Sequence, residues 1–262
     1  MGRISDRFTH LQSRGEKALV LFVTAGYPTL GDFPALISAL VDGGADIIEV
    51  GIPFSDPIAD GPVIQASSQK ALDQGMTPGA VLDALAALHP LPVPIVAMGY
   101  YNPVLRAGLD RFAQKAAAAG VNGTIISDLT PEESDSWVEA SRAHGLDNIF
   151  LAAPTSTDTR LDEVAKRSTG FVYAVSRTGV TGAGDTVAEV SSLVGRIKSR
   201  TPVPVCVGFG VSRPEHVQEI GAYADGVIVG SALIRLLDEA WDGGRGAGKV
   251  SEFVRMLKSA TL

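Results

Sequence analysis

Along this chain, short runs rich in Val, Ile, Leu and Ala alternate eight times with segments whose apolar residues recur at helical spacing. That alternation restricts the fold more than any other feature. Parallel strands need long crossovers, usually helices that cover the sheet, so strands buried on both faces read as continuous apolar runs. Strands are expected at residues 19–25, in a run that ends at Pro53, and at 93–98, 123–127, 149–153, 171–175, 203–207 and 226–229. The helical pattern predicts helices over 32–41, 63–74, 78–88, 102–120, 130–145, 158–167, 187–200, 214–220 and 232–237. A helix over 4–15, with Ser5 or Asp6 as its N-cap, precedes them, and one over 250–258 follows a flexible glycine-rich connection, 243–248. Eight strand–helix units in 262 residues predict a (β/α)8 TIM barrel, class α/β, with an extra N-terminal helix. No Ser/Pro/Gly-rich linker divides the chain, so residues 1–262 read as one domain. A doubly wound open sheet would carry a dinucleotide fingerprint after strand one, where this chain reads Thr24-Ala25-Gly26-Tyr27-Pro28.

Within that pattern one residue stands out. In the second strand Ile48, Val50 and Ile52 share one face, and Ile47, Glu49 and Gly51 the other. If helices cover the first face, Glu49 points into the barrel. A carboxylate there costs several kcal/mol unless it is paired or its pKa rises, and a raised pKa suits a general acid/base working near neutrality. The alternative is a structural charge held by a basic residue, but the strands contain no Lys or Arg. The following loop supplies a second carboxylate, Asp60, which in Asp60-Gly61-Pro62 reads equally well as a turn former.

Barrels work at the C-terminal ends of their strands. Those ends offer Phe22 and Thr24, Met98, Tyr100 and Tyr101, Asp128 and Tyr173, a mainly apolar set suited to a flat substrate. Tyr173 reads as core and Asp128 as a cap of its own helix. Glycines at the ends of strands six to eight, Gly182 and Gly184, Gly208 and Gly210, and Gly230-Ser231, leave backbone N–H groups uncovered, an anion site that suits a phosphate monoester. All seven lysines fall outside strand ends, which leaves a Schiff-base aldolase without its nucleophile. The four histidines share no metal-ligand spacing. The expectation is carboxylate proton transfer on an apolar phosphate ester, without metal or cofactor.

Charge and cysteine usage bear on partners and place. A net charge of -7 argues against a nucleic acid or an anionic membrane. The single Cys206 forms no intramolecular disulfide, which fits a reducing compartment. Apolar runs are too short to cross a membrane, and residues 1–10 lack a signal-peptide core. The expectation is a cytoplasmic protein.

The stretch from Glu49 through Ile52-Pro53-Phe54-Ser55-Asp56-Pro57 to Asp60-Gly61-Pro62, with residues 22–28, 100–103, 176–182 and 208–210, closely resembles the tryptophan synthase alpha subunit family, nearly end to end. The resemblance implies retro-aldol cleavage of indole-3-glycerol phosphate to indole and glyceraldehyde 3-phosphate. It implies Glu49 as general acid/base, Asp60 as stabiliser of positive charge at the indole nitrogen, and Tyr173 as a positioning group. Phe22, Tyr100 and Phe209 would be indole-pocket walls, and Gly182, Gly210, Gly230 and Ser231 phosphate donors. The loop carrying Thr181 would close against Asp60. The resemblance also implies a beta subunit that carries pyridoxal phosphate, in an alpha2beta2 heterotetramer, facing the 53–60 loop, Asn102-Pro103 and residues 128–131. A stand-alone lyase and a non-catalytic regulatory partner of the beta subunit are the alternatives.

Overall fold

The computed structural model describes residues 2–175, 183–208 and 210–262. Its strands are β1 (Ala18–Thr24), β2 (Ile47–Gly51), β3 (Ile95–Gly99), β4 (Val121–Ile126), β5 (Asp147–Asn148), β6 (Leu151–Ala152), β7 (Val172–Val175), β8 (Val205–Gly208) and β9 (Gly226–Val229). They form one parallel sheet in the order β5-β4-β3-β2-β1-β9-β8-β7-β6, so the first strand pairs with the last. The single fifth strand expected from the sequence is two pieces. The stagger of a barrel gives its first half to β4 and its second half to β7. The junction is sealed where Ile149 N–H donates to Thr124 O (2.9 Å) and Tyr173 N–H to Phe150 O (3.0 Å). The result is the expected (β/α)8 TIM barrel.

Side-chain alternation sorts the sheet into two cores. Leu19, Leu21, Val23, Ile48, Val50, Val205 and Val207 face the surrounding helices. Ala18, Val20, Ile47, Val96, Ile125, Cys206 and Ile228 face the barrel axis. The N-terminal end of the axis is stoppered by α1 (Arg3–Ser13), whose Ile4, Phe8 and Leu11 join the inner core, with the Phe8 and Phe171 rings 6.1 Å apart. Arg3 and Arg7 fasten this helix by donating to the Leu91 (2.7 Å) and Pro92 (3.1 Å) carbonyls.

The outer helices are α2 (Phe33–Gly43), α3 (Pro62–Asp73), α4 (Pro78–Leu88), α5 (Tyr101–Ala107), α6 (Leu109–Ala118), α7 (Asp135–Ala143), α8 (Asp158–Arg167), α9 (Ala183–Lys198), α10 (Pro214–Gly221), α11 (Ser231–Ala240) and α12 (Ala247–Lys258). Several differ from the sequence expectation. Extended Gly2, not Ser5 or Asp6, precedes α1, and no side chain caps it. The helix expected over 102–120 breaks at Gly108, whose φ of 86° lies in the region that glycine tolerates best. Residues 130–145 divide into a 3-10 turn, Pro131–Glu133, and α7. The 243–248 connection is shorter than expected because α12 starts at Ala247. Among the described residues no helix is long and apolar enough to cross a membrane.

Candidate active site

Strand register places Glu49 opposite Phe22 on one side and Val96 on the other, with the inner face of the sheet around it. It is 1% exposed, and its Oε2 has no hydrogen-bond partner among the described residues. Burial, and then the nearby charge of Asp60, push its pKa up to about 8. The group therefore holds its proton at neutral pH and can still release it. Asp60 is half-buried in the turn between β2 and α3; burial raises it to about 6, and the Tyr100 hydroxyl works in the opposite direction. Two carboxyls with separated pKa values then face one cavity, the protonated one below and the ionised one at its edge.

That cavity, about 340 Å³, opens at the C-terminal end of the barrel and is lined by Phe22, Glu49 and Asp60 on one side and by Gly208, Gly210 and Gly230 on the other. Met98, Leu151, Tyr173 and Ile228 form its apolar floor, and Ser231 and Arg235 of α11 stand at its rim. Two glycines keep its walls in place. A Cβ on Gly51 would come within 2.6 Å of Phe22 Cζ, and one on Gly208 would collide with the Tyr173 hydroxyl. Burial above all drives that hydroxyl well above its ordinary pKa, and the acidic groups around it add to the shift, so it is a fixed neutral group.

Some residues lie differently from expectation. Tyr100 is no wall of this cavity; it stands behind Asp60, where its hydroxyl accepts the Ala59 N–H (3.1 Å) and its ring stacks on Phe54 at 5.0 Å. Thr24 turns to α3 and shares a buried hydrogen bond with Ser67 (2.6 Å). Asp128 caps α5 rather than its own helix, accepting the Tyr101 N–H at 2.7 Å. Thr181, Gly182 and Phe209 lie outside the described residues. Leu151 and Arg235 were not foreseen. Leu151 repeats the inward parity of Ile149, and Arg235 follows Ser231 by one helical turn, so both left a periodic signal.

An eight-stranded parallel barrel with an interior acid, a second carboxyl above it and a glycine-lined rim at the strand C-termini has the build of a (β/α)8 enzyme. The family model described as "Tryptophan synthase alpha chain" matches residues 8–261. The tryptophan synthase alpha chains of Solibacter usitatus and Geobacter sulfurreducens are 47% and 49% identical, with 98% and 99% of this chain and 97% and 99% of theirs covered. The solved alpha subunit of Legionella pneumophila superposes with a TM-score of 0.92 at 34% identity over 100% of this chain and 98% of its own. A chain of Mycobacterium tuberculosis tryptophan synthase, in its aminoacrylate-bound form, gives 0.91 at 39% identity over 100% of both. The chain belongs to the tryptophan synthase alpha chain family, lyases that cleave indole-3-glycerol phosphate in tryptophan biosynthesis.

Proposed function

We propose that Glu49 is the general acid/base of this cleavage, a reading supported above all by its buried, unpartnered carboxyl facing the cavity with a pKa of about 8. In this reading the protonated Glu49 gives its proton to the indole ring carbon that carries the glycerol chain. The ring becomes a cation with its charge at the nitrogen, which ionised Asp60 stabilises electrostatically. The Glu49 carboxylate then takes the proton of the adjacent glycerol hydroxyl. The carbon–carbon bond breaks, its electron pair returns to the ring, and indole and glyceraldehyde 3-phosphate form with Glu49 again protonated. Tyr173 positions Glu49 and the substrate, Phe22 packs on the indole, and Tyr100 holds Asp60 from behind. Gly210, Gly230 and Ser231 receive the phosphate at the positive end of α11; the family resemblance adds Gly182 as a further phosphate donor, Phe209 as an indole contact and Thr181 as a residue of the closing loop.

The partner is a beta subunit carrying pyridoxal phosphate, assembled as alpha2beta2 in the cytoplasm. Three contacts link the segments that would meet it: Phe54 on Tyr100, Ala59 on the Tyr100 hydroxyl, and Tyr101 on Asp128. Ile58 in the 53–60 loop and Leu105, two residues beyond Pro103 on α5, are 84% and 54% exposed, apolar groups that a partner would cover. Because Ile58 lies two residues from Asp60, docking there would steady the carboxylate and raise turnover.

Indole release by the purified chain, alone and with its beta subunit, beside Glu49→Gln, tests the proposal. The variant is expected to lose about 10² to 10⁴-fold in kcat, as for removal of a general acid/base, and the partner to accelerate the wild type. Full activity in Glu49→Gln would overturn the assignment. Partner-independent turnover would indicate a stand-alone lyase, and no turnover under either condition a regulatory role.

A further inference from the structure

Among the described residues that line the cavity, Arg235 is the only basic one. It follows Ser231 by four positions on α11, so the two share a helix face, and side chains on a helix lean toward its N-terminus. Arg235 therefore sits one turn below the helix end that opens onto the glycine rim, and it lines the same cavity. The same face continues to Asp238, the ordinary i+3 partner for an arginine. Asp238 is engaged elsewhere: it accepts the Tyr27 hydroxyl and the Lys70 ammonium, the latter at 3.1 Å. Among the described residues Arg235 forms no ion pair.

We infer that Arg235 is a specificity-determining residue that supplies the full positive charge for the substrate's phosphate dianion, which the backbone donors of the rim alone do not provide. The inference rests on the phosphate-ester reading of the cavity. It adds a charge-assisted contact, of the kind a guanidinium makes with two N–H groups, to a site whose other described donors are neutral and stand beside two carboxyls. The Tyr27–Lys70–Asp238 cluster acts as a positioning device here, occupying the acid that would otherwise draw Arg235 away from the rim.

The test compares Arg235→Ala and Arg235→Lys with the wild type in indole release from indole-3-glycerol phosphate and from its dephosphorylated analogue, and in direct binding of glycerol 3-phosphate. Loss of one charge-assisted contact is expected to raise KM for the phosphate ester, and Kd for glycerol 3-phosphate, about tenfold, with kcat little changed. Lysine is expected to recover part of the loss, and neither variant to alter use of the analogue. Lys70→Ala should weaken glycerol 3-phosphate binding in the same direction by freeing Asp238. Equal KM and Kd in Arg235→Ala and wild type would overturn the inference, as would an equal loss with the analogue. Wild type without any cleavage would instead sink the phosphate-ester reading beneath it. Arg235 is exposed, so all forms are expected to fold, which their thermal midpoints check.

Discussion

Glu49 owes part of its raised pKa to the charge of Asp60, and that dependence has measurable consequences. Free enzyme with Glu49 protonated and Asp60 ionised is the active form in the proposed cycle. kcat/KM is therefore expected to follow a bell, falling below about pH 6 and above about pH 8. Asp60→Asn should remove the acid limb. Because the Asp60 charge helps to raise Glu49, that substitution should also shift the alkaline limb to lower pH. The same carboxyl has a cost in stability. A folded pKa of about 8 against the ordinary 4.5 of an exposed glutamate means that the native protein binds a proton which the unfolded chain has released. Stability from this group thus declines as pH rises from about 4.5 through 8, and the penalty reaches a few kcal/mol above 8. Glu49→Gln is expected to raise the thermal midpoint at pH 9 and to change it little at pH 4.5; equal effects at both would contradict the linkage. This residue was legible in the sequence because a lone charge in an apolar strand has few stable explanations. The role of Tyr100 was less so, because facing Asp60 from behind depends on where the 53–60 loop lies, and loop paths leave no periodic trace.

At the level of elements, α1 shows how much of the fold rests outside the repeating units. Phe8 is 7% exposed against Phe171 in a plug that no strand–helix unit supplies. Phe8→Ala is expected to cost about 3 to 5 kcal/mol in urea unfolding, while kcat stays unchanged because the plug lies at the opposite end from the cavity. A loss of activity without loss of stability would show instead that the plug reaches the site. Strands were readable as short continuous apolar runs and helices from their 3.6-residue period. What escaped were interruptions: the break at Gly108 inside an alanine-rich helical pattern, and the division of β5 from β6. A glycine in a helical pattern does not announce whether it is tolerated or turned, and barrel stagger is a property of neighbouring strands rather than of local sequence.

In the whole molecule the two halves bring different chemistry. The first carries the acids Glu49 and Asp60, the second the glycine rim and Arg235, and they meet only because β1 pairs with β9. That division was visible in the residue types, acids early and glycines late, but their meeting required closure of the sheet. The pairing also bears on how the protein is made. As the chain leaves the ribosome, Glu49 and its strand appear long before residues 226–229, and until then β1 presents an unpaired edge. Gly230 and Ser231 follow directly after the strand that seals the barrel. Closure and the completion of the rim are therefore one event in synthesis, and an unfinished chain carries Glu49 and Asp60 without yet being able to seat a phosphate ester above them.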